Sequence, residues 1–415
     1  MDGFRPEFCH DDSWPAPTLQ QLAWEGATAR SVRGVFPALT YPAHTTLVTG
    51  ALPARHGVCH NRPFNPEHDS ERWQWEAEAI RSPTLWDAVR RAGGTTASVS
   101  WPVTVGAAID WNIPDIWPLD PHIDPMIPIR EATNPPALFD EVQREAAGRL
   151  RGENFSINRL TREDRVGAIG AYLFERYRPT LMLIHLIGVD HVQHQLGLNN
   201  PMVRRSVGAA DRAIGQILEV VERLDVRDRT AVVITCDHGE EDVHTELCPN
   251  VWLADAKLRE RTRSAHNWSA TFHSSGGSAF LRVRDGGDAM MKRARDAVEA
   301  VEPATRRLFR VVERQEMETL GADPESPFAL AALRGVVFSD DAHPPAIRPT
   351  HGGSHDYYPE SPLMDTGFVG AGAGFRRAAI APILPLENIA PLIAQILGLE
   401  FAAPDGVIFP GLLTE

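Results

Sequence analysis

The stretch Ala231-Val232-Val233-Ile234-Thr235-Cys236-Asp237-His238-Gly239 decides how this chain is read. Its first six residues carry no charge, and a continuous run of this length suits a strand buried on both faces. The run ends abruptly in an aspartate and a histidine. A second run, Leu181-Met182-Leu183-Ile184-His185-Leu186-Ile187, leads to Asp190 and, four residues on, to His194. In open α/β sheets, ligand chemistry collects at the carboxyl ends of such strands. Carboxylates and imidazoles delivered there together form the donor set of a zinc-type metal site.

Working outward, the segment between the two runs is helical. Asn200 is placed to cap it, Pro201 suits its first turn, and Val203, Val207, Ile214, Leu218 and Val221 share its apolar face. Strand, helix and strand in this order make a crossover, and so a parallel pair. Helical spacing recurs at Thr18–Ala23, Thr84–Arg91, 137–150 and 164–177, with a strand at 95–100 after Gly93-Gly94. The alternation predicts an α/β fold: a doubly wound, mostly parallel sheet flanked by helices. From about residue 254 to 346 the texture changes. Gly276-Gly277-Ser278-Ala279-Phe280 enters a short strand and a helix follows over 288–301. This segment reads as an inserted small α+β cap, with residues 1–253 and 347–415 forming the catalytic core. The chain returns to that core through Asp365–Gly370 and a last helix around Leu386–Leu397.

Bulk composition narrows the function. A formal net charge of -14 argues against binding a nucleic-acid backbone, whose partners are basic. It does not argue against small phosphate substrates, because bound metal reverses the local charge. No stretch has the apolar length needed to span a bilayer. The cysteines Cys9, Cys59, Cys236 and Cys248 form no CxxC pair, which speaks against a thiolate zinc site. Cys236 reads as a small hydrophobe within its run, and spacing leaves the others free or bridged. The opening Met1-Asp2-Gly3-Phe4-Arg5 shows no signal peptide and no strand ahead of its acid. Either the protein begins there, or an upstream strand, and with it a signal, is missing. Compartment and oligomeric state are not legible.

Thr40 lies in Val35-Phe36-Pro37-Ala38-Leu39-Thr40-Tyr41-Pro42-Ala43-His44-Thr45-Thr46-Leu47-Val48-Thr49-Gly50. Pro42 suits the first turn of a helix. A hydroxyl at a helix N-terminus can meet a phosphoryl group beside free backbone N–H groups. Alone, this threonine reads as a helix cap, since threonine is a poor nucleophile unless its hydroxyl is activated.

The whole phrase changes that reading. With its continuation Leu52-Pro53-Ala54-Arg55-His56-Gly57-Val58-Cys59-His60-Asn61 and the strand-end acids, it resembles the alkaline phosphatase superfamily. More narrowly, it resembles the nucleotide pyrophosphatase/phosphodiesterase (type I phosphodiesterase) family. That family's nucleophile is the threonine of an F-P-x-x-T-(F/Y)-P-N-H phrase, which falls on Thr40. Its early metal-binding acid, in D-G-(F/L/M)-R, falls on Asp2. Its D-x-x-x-H ligands fall on Asp190 and His194, and its D-H-G ligands on Asp237 and His238. The last ligand, a histidine in H-G-Y-x-P with a methionine nine residues later, falls on His355, since Met364 keeps the spacing. His351 is the rival for that place. The phosphate-steadying asparagine falls on Asn61, which could equally satisfy turn backbone groups.

The resemblance spans nearly the whole chain. It implies two zinc ions per chain: one held by Asp190, His194 and His355, the other by Asp2, Asp237 and His238, with Thr40 between them. It also implies hydrolysis of phosphodiester or pyrophosphate bonds through a phosphothreonine-type intermediate, on a small phosphate ester such as a nucleotide. Tyr41 either stacks on a base or leaving group, as the family's aromatic does, or lines the pocket wall. Two positions depart from the family phrases: Ala43 stands where asparagine is usual, and Asp356 where glycine follows the last histidine. The sulfatase branch is disfavoured by the absence of its C/S-x-P-x-R phrase. The alternatives are a phosphonoacetate-hydrolase-like enzyme, a phosphomonoesterase, or a catalytically impaired metal-binding relative.

Overall fold

The computed structural model describes residues 1–65, 71–261, 267–284, 287–361 and 364–414. Five strands of the core come early: β1 (Ala27–Arg33), β2 (Thr96–Val99), β3 (Trp111–Ile113), β4 (Leu181–Ile184) and β5 (Ala231–Thr235). Four strands form a separate antiparallel sheet: β6 (Ala270–Ser275), β7 (Ser278–Val283), β8 (Phe309–Glu313) and β9 (Phe328–Ala332). The chain then closes the core with β10 (Thr366–Gly372), β11 (Ile380–Ala381) and β12 (Leu384–Pro385).

In the core, β10 lies between β1 and β5 and runs antiparallel to both. The short strands β11 and β12 pair parallel to β1. A second core sheet, ordered β3-β2-β4, is parallel throughout. Within the first sheet only β10 runs against the other strands, so the core is mostly parallel as predicted, in two sheets rather than one.

β5 packs on both faces, Val232 and Ile234 against one apolar cluster and Ala231 and Val233 against another, but the burial is incomplete: Ile234 is buried and the other four are only half-buried. The reason is pairing: β5 bonds to β10 along one edge, and among the described residues no strand bonds to the other. β4 is likewise bonded only to β2. Between the carboxyl ends of these two strands lie the first residues of the chain. The Met1 α-amino group donates to the Thr235 carbonyl at 2.9 Å, and the Asp2 N–H to the Leu186 carbonyl at 2.8 Å. These bonds fix Asp2 without a strand of its own.

Helix α1 (Thr40–Thr49) is buried at every residue. Helix α2 (Thr161–Tyr177) packs on β2 and β4, α3 (Gly188–Leu196) follows β4, and α4 (Pro201–Arg223) lies against both helices. The Asn200 side chain accepts from the Met202 N–H at 3.0 Å, the N-cap read from sequence. The helix expected over 137–150 is shorter. It runs Leu138–Val142, continues as a wide π-type turn over Gln143–Ala147, and stops at Gly148, whose φ is +67°.

The antiparallel sheet has two apolar faces, as period-two alternation requires. Phe272, Leu281, Phe328 and Leu330 pack with Leu247 and Trp252 from before the sheet and Tyr357 from after it. On the other face, Phe280, Val312, Ala329 and Ala331 take Phe36, four residues before Thr40. The four cysteines are all free. Among the described residues, no helix is long and apolar enough to cross a membrane.

Candidate active site

Thr40 opens α1 because Leu39 before it is extended (φ -117°, ψ 152°), which turns the chain into the helix from the carboxyl side of the sheet. Its hydroxyl lies 3.3 Å from His238 Nε2. The His44 N–H at Nδ1 donates to the Thr40 carbonyl at 2.8 Å, one helical turn on. The Tyr41 N–H, one of the free amides at this helix start, is held by Asn61 Oδ1 at 2.8 Å. The Asn61 NH₂ then has no partner among the described residues.

Around Thr40 the strand ends deliver their acids. Asp237 and His238 follow β5, and Asp190 and His194 stand one turn apart on α3, 3.3 Å between Oδ1 and Nε2. Asp190, His194 and His355 form one group of converging donor atoms, and Asp2, Asp190 and His238 another, each within 4.8 Å. Asp237 joins through His238 Nε2, 3.2 Å from its Oδ2, and that nitrogen is 3.7 Å from Asp2 Oδ1. The rings of His238 and His355 stack at 3.7 Å. All six expected ligands therefore meet in one cradle. His355 Nδ1–H donates to the Ala38 carbonyl at 2.9 Å, leaving Nε2 as its donor atom. His351, the rival, is exposed and lies in none of these groups.

The electrostatics point to cations. Asp2 Oδ1, Asp190 Oδ1, Asp237 Oδ2 and both oxygens of Glu240 are buried and make no hydrogen bond, although imidazole nitrogens stand 3.2–3.7 Å from the first three and from Glu240 Oε1. Buried carboxylate oxygens are normally paired, at a cost of several kcal/mol per ion otherwise (roughly, on general grounds). Burial, reinforced by Asp190 and Asp237, holds the Asp2 carboxyl well above the usual carboxylate range. Burial acts the same way on Asp237, but His238 and His44 outweigh it and hold that carboxyl low. Burial, with His238 and His194 beside it, drives the His355 imidazole far down, into the neutral form that binds metal. Burial also lowers His194, yet Asp190 and Glu240 raise it to about 10. Three acids packed this closely with nitrogen donors fit divalent metal, and the nitrogen–oxygen set suits zinc.

Four participants were not singled out from sequence. His44 also approaches Asp237 Oδ2, at 3.4 Å, and His185 Nε2 lies 3.1 Å from Asp2 Oδ2. Burial keeps both imidazoles neutral, His44 at about 4. Glu240 Oε1 lies 3.5 Å behind His194. Cys236, read as a small hydrophobe, accepts from the Phe4 N–H at 3.1 Å and sits beside Asp2 and Asp237. His44 at four residues from Thr40 on a helix was the available signal; the other three needed the fold.

Tyr41 departs from the stacking expectation. Its side chain is 0% exposed, its ring packs edge-on to Trp73 at 5.1 Å, and its hydroxyl donates to Asp115 Oδ2 at 3.2 Å. No ring face is left for a base, because the helix start turns it inward. His191 faces away, 2.7 Å from Asn158 Oδ1. Ala43 is fully buried among apolar neighbours of α1.

A helix-borne threonine facing an acid–imidazole cradle, at the carboxyl ends of a mostly parallel core, is the arrangement of an alkaline-phosphatase-like fold. The chain belongs to the type I phosphodiesterase / nucleotide pyrophosphatase family, whose model matches residues 1–357. It is similar to human ectonucleotide pyrophosphatase/phosphodiesterase family member 5, 24% identical over 251 residues, 58% of this chain and 43% of that protein. Human family member 7 is 26% identical over 251 residues, 58% of this chain and 46% of that protein. The chain thus spans less than half the length of these two relatives. An uncharacterized pyrophosphatase/phosphodiesterase of Schizosaccharomyces pombe is 21% identical over 425 residues, 100% of this chain and 78% of that one. The solved structure of murine family member 5, an inactive threonine-to-alanine form in complex with AMP, superposes with a TM-score of 0.68. It covers 97% of this chain and 94% of that chain at 18% identity.

Proposed function

We propose that this chain is a zinc-dependent phosphodiesterase or nucleotide pyrophosphatase with Thr40 as its nucleophile. The observation that carries the reading is the Thr40 hydroxyl, 3.3 Å from His238 Nε2, at the edge of a cradle of buried carboxylate oxygens that make no hydrogen bond. One zinc would be held by Asp190, His194 and His355 and the other by Asp2, Asp237 and His238. Bound there, they supply positive charge for the attacking and leaving oxygens of an in-line displacement.

The chain's own residues do the rest. Thr40 Oγ1 attacks phosphorus, and its proton passes through solvent to the leaving oxygen as the new P–O bond forms. The ester or pyrophosphate oxygen departs with its electron pair, and water then releases Thr40 and the phosphate. His44, held on the Thr40 carbonyl and beside Asp237, keeps α1 and its acid in register. The Asn61 NH₂ donates to a nonbridging oxygen and stabilises the charge that develops there. Tyr41 serves through its amide and as packed wall, since its ring is buried. The inserted segment, 254–346, would act as a cap walling the pocket. The AMP complex of the murine relative supports a nucleotide substrate, and its inactive threonine-to-alanine form supports the role of Thr40.

The test is turnover by zinc-loaded protein with bis-aryl and mono-aryl phosphates, together with metal analysis. We expect about two zinc equivalents and a preference for the diester. Thr40→Ala should abolish hydrolysis with metal content near normal. Retained turnover in Thr40→Ala removes the nucleophile, and a clear monoester preference favours the phosphomonoesterase reading.

A further inference from the structure

The residue after the last ligand departs from the family phrase, and the structure gives the departure a physical role. Asp356 is 0% exposed, and its φ of +67° is a conformation that glycine adopts freely and aspartate at a cost. A buried carboxylate on a strained backbone persists only where its oxygens are well used. Here both are. Oδ1 accepts from the Ala38 N–H at 2.8 Å, and Oδ2 accepts from the Ser278 hydroxyl.

Ala38 is two residues before Thr40, and its carbonyl is already held by His355 Nδ1 at 2.9 Å. Consecutive residues 355 and 356 therefore grip the N–H and the C=O of one residue in the nucleophile loop. Ser278 is the first residue of β7 and is itself 0% exposed. The same corner is closed by the Gly277 N–H, which donates to the His355 carbonyl at 2.8 Å. A Cβ at Gly277 would sit 2.7 Å from the Tyr357 ring, so the antiparallel sheet cannot slide here without moving residues 355–357.

We propose that Asp356 is a positioning residue: its carboxylate ties the start of β7 to the Ala38 amide, so that the placement of the antiparallel sheet sets the placement of Thr40. The proposal rests on the reading of Thr40 as nucleophile for its kinetic consequence, but not for its structural one. Glycine at 356 removes both bonds while relieving the backbone, and a urea melt checks that the variant folds. Asparagine keeps both, its Oδ1 accepting from Ala38 and its NH₂ donating to the Ser278 oxygen.

The experiment compares Asp356→Gly, Asp356→Asn, Ser278→Ala and Thr40→Ala in zinc-loaded protein. Steady-state kinetics on bis-p-nitrophenyl phosphate are measured alongside amide hydrogen exchange at Ala38. Asp356→Gly is expected to lower kcat by roughly 10- to 100-fold with KM and zinc content little changed. It should also speed Ala38 exchange by about tenfold. Ser278→Ala should move both readouts in the same direction, and Asp356→Asn should restore both. Unchanged Ala38 exchange in Asp356→Gly overturns the proposal, as does an Asp356→Asn variant as impaired as the glycine one. Activity in Thr40→Ala would remove the nucleophile while the exchange result still decides the tie.

Discussion

His56 shows what burial does to a single titratable group in this protein. It is fully buried at the end of the short helix Pro53–His56 that follows α1, where the Val58 N–H donates to its Nδ1 at 3.1 Å. The remaining proton is on Nε2 and is donated to Thr46 Oγ1 at 3.1 Å. The bond from Val58 needs an unprotonated Nδ1, and burial lowers the pKa of the ring to about 3. The folded value lies below the unfolded one, ordinarily about 6.5, so the unfolded chain binds the proton first as pH falls. This contribution is complete above about pH 6.5 and is lost on acidification toward the folded value, by at most ~1.4 kcal/mol per pH unit. Urea melts at pH 7 and pH 5 should show a drop for the wild type that is smaller in His56→Gln. An equal drop would place the titration elsewhere. At the same scale, Asp190 and Asp237 were legible because they follow apolar strand-like runs, and Asp2 only through the family phrase it sits in. Asp356 was visible only as a departure, because its partners are distant in sequence.

Helix packing governs the next scale. Gly167 on α2 faces Ala213 on α4, and a Cβ there would come within 2.6 Å of the Ala213 Cα. Gly167→Ala should therefore destabilise by about 1–3 kcal/mol, read as a lower urea midpoint at unchanged slope. Gly215, on α4, meets nothing closer than 3.5 Å, so Gly215→Ala should be neutral or stabilise by up to ~1 kcal/mol through helix propensity. Asn200→Ala, which removes the cap of α4, should cost about 1 kcal/mol. The cap and the apolar face of α4 were readable because both are local. The close approach at Gly167 was not, since it depends on which helix arrives beside α2.

At the scale of the molecule, two features join the parts. His60, on the loop before Asn61, meets Asp323 at 2.8 Å, and Asp323 also pairs with Arg282 on β7. These three are buried, so Asp323→Ala, which strips partners from a buried guanidinium, should cost about 3–5 kcal/mol. A thermal melt would check it, and a shift within error would show that Glu325, 3.0 Å from Arg282, suffices. The cradle is the second feature, because it gathers residues 2, 190, 194, 237, 238 and 355. Chelation should lower the melting temperature and zinc should restore it, since cations that bind only the folded cradle shift the equilibrium toward it.

The sequence by itself determined the α/β class and the start of α4, and through short phrases shared with a family it picked out Thr40 and the six residues that the fold gathers in one cradle. Periodicity, capping and donor chemistry are properties of short segments, and a short segment carries them wherever it lies. Tertiary structure alone decided the antiparallel entry of β10 between β1 and β5, and the half-burial of β5. It also decided the anchoring of Asp2 by Leu186, the inward turn of Tyr41 and the tie from Asp356 to Ala38. Each of these depends on which distant segments meet, and that is set by the packing of the whole chain rather than by the preferences of any one stretch.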